Sequence, residues 1–150
     1  MNLSIDNFSE NNYPFLKEMV FGLYKDDKHD FEDGIMTETK IKSTINRSKT
    51  HPEQVNIKIF KVANTVVGYA MLTFFWSNEY NGLVVVLDEL FVISEYRNQG
   101  ISTQFINYLA QNKEYKIIDL EVFKENTKAL ALYKKLGFEI IDRHFMKKVL

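Results

Sequence analysis

A pair of adjacent carboxylates and, just beyond it, a polar turn with one glycine between an apolar run and a helical pattern are the groups in this chain whose types and spacing could do chemistry. Asp88 and Glu89 are adjacent in an apolar segment, Leu83 to Ile93, and either can take a proton from an attacking group as a general base. In a regular strand, neighbouring residues point to opposite faces, so the two carboxylates are expected on opposite faces of the sheet. Immediately beyond lies Arg97-Asn98-Gln99-Gly100-Ile101-Ser102, followed by Ile101, Phe105, Tyr108 and Leu109 at helical spacing. A strand, a short polar turn and a helix start form a natural anion cradle, because the first amides of a helix have no internal partner and its dipole favours phosphate there. Gly100 lets the main chain come close to a ligand or take a left-handed conformation. The turn is therefore expected to hold a pyrophosphate.

Composition narrows the field. A chain of 150 residues with 45% hydrophobic content, 12 Phe and 8 Tyr suits one compact domain with a sizeable core. A net charge of −1 argues against general nucleic-acid binding. The absence of cysteine excludes disulfides, a thiol nucleophile and thiolate zinc sites, and the three histidines, His29, His51 and His144, lack ligand spacing, so no metal is expected. Neither a signal peptide nor a membrane-length apolar run is visible, which makes the cytoplasm the default and membrane association unexpected.

The expected elements follow from periodicity. Leu3 and Ile5 begin a short strand, and Leu16, Met19, Val20, Leu23 and Tyr24 mark a helix from Asn12 to Asp26. A charged loop follows to Gly34, then a helix from Thr37 to Ser48 with Ile41 and Ile45 inward, closed by His51-Pro52. Val55 to Val62 and Val66 to Phe75 read as a hairpin turning at Ala63-Asn64, with a loop from Trp76 to Gly82 before the strand Leu83 to Ile93. A helix from Gly100 to Asn112, a strand from Lys116 to Phe123, a helix from Thr127 to Leu136 ended by Gly137, and a closing strand pair, Phe138 to Asp142 and Arg143 to Val149, complete the chain. The class is α/β.

Two motifs together carry a resemblance. Arg97-x-x-Gly100-x-Ser102 fits the pattern Arg/Gln-x-x-Gly-x-Gly/Ala, and Asn126, Ala129, Tyr133, Gly137 and Phe138 complete Asn-x-x-Ala-x-x-x-Tyr-x-x-x-Gly-Phe. In this order the chain resembles the GNAT superfamily of N-acetyltransferases, from about Val66 onward. The resemblance implies a mixed, mostly antiparallel central sheet with flanking helices (the acyl-CoA N-acyltransferase fold) in a single domain spanning residues 1–150, with acetyl-CoA as co-substrate. It implies that Arg97, Asn98, Gln99, Gly100, Ile101, Ser102 and Thr103 hold the pyrophosphate, and that Phe91 and Val92 pair with the pantetheine arm. Val92 N–H would donate to the oxyanion, Asn126 and Ala129 would contact the cofactor, and Tyr133 would protonate the thiolate. Ser102 stands where the family prefers Gly or Ala, and Asn98 replaces a common Gly.

The stretch from Leu87 to Arg97 looks similar to diamine acetyltransferases, in which the carboxylate matching Asp88 is the proposed base. Glu121 offers a third choice, and Asp88 and Glu89 stand level ahead of it. A bulge in the strand would reverse the first two. The implied reaction is direct transfer of acetyl to a primary amine on a small cationic molecule or a lysine-containing acceptor. Acidic residues Asp26, Asp27, Asp30, Glu32 and Asp33 would attract the cation, and Trp76 and Tyr80 would line its pocket or pack on the core. The rival reading is a non-catalytic acetyl-CoA-binding sensor, and a homodimer is allowed by the aromatic-rich closing strands. Each residue also has a plainer reading: Asn126 as a helix N-cap, Tyr133 as a core aromatic, Gly137 as a helix terminator.

Overall fold

The computed structural model describes residues 2–26 and 35–150. These fall into a larger compact unit, 2–26 with 36–121, and a smaller one, 122–150 with Ile35. In the larger unit the chain runs β1 (Leu3–Asn7), α1 (Tyr13–Asp26), α2 (Glu38–Thr50), β2 (Val55–Val62), β3 (Thr65–Ser77), β4 (Gly82–Val92), α3 (Ile101–Ala110) and β5 (Tyr115–Leu120). The five strands form one sheet in sequence order, antiparallel throughout except for the β4–β5 pair, which is parallel.

Alternation along β2 shows how the sheet is covered on both faces. Ile57 and Ile59 are buried with Leu16, Met19 and Val20 of α1 and Ile41 and Ile45 of α2. Phe60, of opposite parity, is buried against Phe105 of α3, with ring centroids 4.8 Å apart. Each fully buried aromatic of this kind stabilises the fold by about 2–3 kcal/mol. In α3 it is Ile106, and not the expected Tyr108, that joins Ile101, Phe105 and Leu109 in the core, while Tyr108 is 42% exposed. Thr37 caps α2 by accepting from the Lys40 amide, and His51 ends it.

The β2–β3 hairpin turns at Ala63 and Asn64, both at positive φ (48° and 67°), as a two-residue type I′ turn requires. Further along β3, Gly68 lies so close to β4 that an added Cβ would sit 2.5 Å from the Phe91 carbonyl oxygen and 2.9 Å from the Phe60 ring. The smallest side chain is thus needed for β3 to seat the end of β4.

The smaller unit holds α4 (Thr127–Lys135). Beyond it, the expected strands Phe138 to Asp142 and Arg143 to Val149 are absent: residues 138–150 have no regular structure, and Ile140, Ile141, Phe145, Met146, Val149 and Leu150 are exposed. Their apolar spacing supplies side chains for a strand but no hydrogen-bonding neighbour, and a lone two-stranded pair is marginal in water. The strand expected over Lys116 to Phe123 ends at Leu120, which leaves Glu121 outside it.

Replacing Gly68 with Ala is expected to destabilise the protein by about 3 kcal/mol through overpacking against backbone. Urea unfolding measures it, and a change below about 0.5 kcal/mol would mean that β3 and β4 tolerate the added carbon.

Candidate active site

β4 is interrupted where the carboxylates lie. In its pairing with β3, Met71 faces Glu89 and Leu72 faces Leu87, so Asp88 is an extra residue with no partner. This is a β-bulge. On the other edge, β5 follows β4 only as far as the Leu87–Leu120 pair. Asp88 is therefore free of the ladder on both sides, and the segment Asp88 to Val92 has an edge that no strand covers among the described residues.

The bulge shifts the alternation of side chains by one, so the expectation that Asp88 and Glu89 point to opposite faces does not hold. Leu87 pairs with Leu72, on the α3 face, and Asp88, next along, turns to the α1 face. Glu89 shares the face of its partner Met71, which is buried with α1 and α2. Both carboxylates thus reach the same side of the sheet.

Their surroundings differ. Glu89 is 9% exposed, and its two oxygens accept hydrogen bonds from the Tyr24 hydroxyl (2.8 Å) and the Tyr69 hydroxyl (2.7 Å). Burial first, then the Glu89 charge, push the Tyr69 hydroxyl far above its ordinary range, and Asp88 adds to the effect. The Tyr69 hydroxyl therefore stays protonated as a donor. Asp88 keeps solvent contact, yet the protein around it removes enough water to raise its carboxyl above the usual carboxylate range. Tyr24 and Tyr69 are site residues that the sequence did not single out; the helical spacing of Tyr24 read only as core.

The far end of β4 presents donors. Ile93 N–H donates to Val67 of β3 (2.9 Å), and amides alternate in direction along a strand, so Val92 N–H and C=O turn to the uncovered edge. There the Val92 carbonyl accepts from Arg97 Nε at 2.8 Å. Arg97 also pairs through Nη2 with Asp26, the last residue of α1, at 3.1 Å, and its guanidinium lies 5.2 Å from the centre of the Phe91 ring. Phe91 in turn packs its ring against Gly22 of α1.

Next comes the turn. Asn98 and Gly100 both have positive φ, 61° and 80°, so Asn98 adopts the conformation the more usual glycine would have supplied. Among the described residues, no amide from Asn98 to Thr103 finds an acceptor, whereas the Gln104 amide closes the first helical bond to the Gly100 carbonyl. Around Gly100 the space is open: an added Cβ would meet nothing within 4 Å. Asn98, Gln99, Gly100, Ile101, Ser102 and Thr103 thus supply a set of unused donors at a helix N-terminus, which suits a diphosphate.

On the α1 side, a cleft of about 610 Å³ is lined by Phe15, Met19, Val66, Phe91 and Ile93, with Glu18, Asp26, Glu95 and Arg97 around it. Trp76 and Tyr80 are 66% and 49% exposed and do not line it. Glu121 is exposed just beyond β5. Of the acidic residues expected near an acceptor, only Asp26 lies within the described residues; Asp27, Asp30, Glu32 and Asp33 lie outside them. Among the described residues no cluster of His, Asp and Glu could hold a metal ion, and no helix is long and apolar enough to cross a membrane.

In the smaller unit, the second motif is a helix frame. Asn126 is the N-cap of α4 and accepts from the Ala129 amide at 3.2 Å. At the other end, Phe138 N–H bonds to Tyr133 O and Gly137 N–H to Lys134 O, with Gly137 at φ 88°. This is a Schellman cap, completed by the Tyr133 and Phe138 rings at 5.5 Å. The Tyr133 hydroxyl is raised by burial and stays protonated at neutral pH.

Residues 18–138 match the acetyltransferase (GNAT) family. Thialysine N-epsilon-acetyltransferase of Mus musculus is 40% identical over 75 residues, which are 48% of this chain and 44% of that protein. An uncharacterized N-acetyltransferase of Methanocaldococcus jannaschii is 34% identical over 85 residues, 54% of this chain and 38% of that one. The matched stretch thus spans less than half the length of either relative. Among solved structures, a possible acetyltransferase from Clostridium difficile 630 has a TM-score of 0.82 at 20% identity, covering 100% of this chain and 99% of that one. An aminoglycoside acetyltransferase from an uncultured soil metagenomic sample, in complex with sisomicin, has a TM-score of 0.72 at 17% identity, covering 99% and 97%. Both share the fold.

The raised Asp88 carboxyl has a consequence for stability. A folded-state pKa above the unfolded value opposes folding once the group must ionise, so the penalty is present at neutral pH and vanishes below the ordinary carboxylate pKa of about 3.9. Asp88→Asn is therefore expected to be more stable than the parent at pH 7, with the difference closing as the pH approaches ~4. Denaturant unfolding across that range checks it; a difference that does not change with pH would contradict the desolvation of Asp88.

Proposed function

Because the chain belongs to the GNAT acetyltransferase family, we propose that it moves an acetyl group from acetyl-CoA to a primary amine by direct attack. The proposed acceptor is a small cationic amine or a lysine-like side chain. The family match runs through both compact units, which supports one acetyltransferase domain over residues 1–150. The observation that carries the reading is Asp88, an accessible carboxyl of raised pKa at the bulge where β4 skips one residue against β3 and runs past the end of its pairing with β5.

An alkyl ammonium has a pKa near ~10.4, so at pH 7 only about one molecule in ~2,500 is neutral, a deficit of roughly 4–5 kcal/mol. Asp88 takes the proton, directly or through water, and its raised pKa makes it a better acceptor than an ordinary carboxylate. Glu89, with both oxygens engaged by tyrosines, does not serve as base. Bound acetyl-CoA supplies the thioester that the amine attacks. The turn amides from Asn98 to Thr103 hold its diphosphate, and the uncovered edge from Asp88 to Val92 receives its arm. Val92 N–H, aimed at that edge, stabilises the oxyanion. Tyr133, protonated at neutral pH, is the proton donor to the departing thiolate. Three carboxylates, Glu18, Asp26 and Glu95, against one cation, Arg97, around an apolar cleft support a cationic acceptor, as does the likeness to the mouse thialysine acetyltransferase.

Thiol release from acetyl-CoA over a panel of amines tests this. Asp88→Asn is expected to lower kcat by about 10²–10⁴ with CoA affinity retained. Tight CoA binding without turnover on any amine would instead favour a sensing module. Asp26 and a diphosphate compete for Arg97, so Asp26→Asn is expected to tighten CoA binding about two- to fivefold at low salt, the size of one exposed ion pair. Weaker binding, by calorimetry, would show that Asp26 helps to hold the cofactor.

A further inference from the structure

We propose that Tyr24, Glu89 and Tyr69 are positioning residues, a clamp that selects the bulged register of β4 and so sets both the place of Asp88 and the direction of the Val92 amide. The inference rests on the acetyltransferase reading and assigns Glu89 a task other than proton transfer.

Strand register decides which carboxylate meets the two hydroxyls. With the bulge, Glu89 lies opposite Met71 on the α1 face, where a hydroxyl from α1 and one from β3 reach its two oxygens. Without it, Leu87 would still face Leu72, but Asp88 would take the position opposite Met71. The shorter Asp88 side chain would then face the tyrosines, and Glu89 would turn to the α3 face without either bond. A one-residue slip flips every later side chain and every later amide. Val92 N–H would point at β3, not at the uncovered edge, and Phe91 would leave Gly22. A buried carboxylate that loses its donors is strongly disfavoured, so the two hydroxyls hold the strand in the bulged register. Tyr24 is 65 residues from Glu89 in sequence and Tyr69 is 20, so the clamp joins α1, β3 and β4 at one carboxylate. Asp88 and Val92 then hold their places without sharing any bond of the clamp.

The test uses Tyr24→Phe, Tyr69→Phe and the double variant in the full chain, with two readouts. In thiol-release kinetics, the double variant is expected to lose about tenfold or more in kcat, the effect of one or more lost charge-assisted hydrogen bonds. In amide hydrogen exchange, which needs no turnover, the Glu89 and Phe91 amides, the ones in segment 88–92 that face β3, are expected to exchange about tenfold faster while Val84 to Val86 keep their protection. Lower thermal stability with kcat and local exchange unchanged would make the clamp merely structural and overturn the proposal. Loss of turnover in Glu89→Gln as complete as in Asp88→Asn, with exchange at 88–92 unchanged, would also overturn it by making Glu89 the base. Should the parent release no thiol with any amine, the acetyltransferase reading fails, and the exchange data alone still decide the clamp.

Discussion

Everything in the site depends on β4 losing its ladder at Asp88 on both edges. A strand in mid-sheet normally commits every amide and carbonyl to its neighbours, which leaves nothing for a ligand. Here β3 skips one residue and β5 stops one residue earlier, so the chain stays in the sheet while one edge from Asp88 onward remains available. The bulge also carries two carboxylates to one face. Close packing at Gly68 holds the end of β4 in place, and the turn at Gly100 then begins a helix whose first amides point away from any internal acceptor.

From that constraint the two carboxylates take different parts. Glu89 is enclosed and shared by two hydroxyls, an arrangement that fixes geometry. Asp88 is open to solvent but partly dehydrated, an arrangement that fits proton transfer. Neighbouring residues of nearly the same chemistry are thus separated by environment alone, as acid and base roles in enzymes commonly are. Arg97 ties this region to α1 through Asp26, so the arginine at the start of the proposed diphosphate turn is already paired with a carboxylate.

Much of this was legible in the sequence, because it is written in local signals. The turn from Arg97 to Thr103 combines a glycine with a helix start, and the structure finds its amides without acceptors. The motif from Asn126 to Phe138 reads as chemistry by resemblance, yet each of its residues is also a position in a capped helix: N-cap, capped amide, and the three parts of a Schellman end. The plainer reading of Asn126 and Gly137 is therefore correct as far as the helix goes. What the sequence did not show is long-range. Period-two reasoning sends Asp88 and Glu89 to opposite faces, since an inserted residue is visible only through the partner strand. Tyr24 and Tyr69 look like core aromatics until α1 and β3 bring their hydroxyls to one carboxylate. The closing strands failed for a related reason: apolar spacing over residues 138–149 is necessary for a strand, but a neighbour must also be present.

The central claim is that the uncovered edge of β4 and the turn beyond it form one continuous site for coenzyme A. Nuclear magnetic resonance of the labelled protein during a CoA titration tests this most directly. The account requires the largest amide shifts at Leu90, Val92 and Asn98 to Thr103, with β1 unaffected. Shifts concentrated elsewhere, or none at saturating CoA, would contradict it.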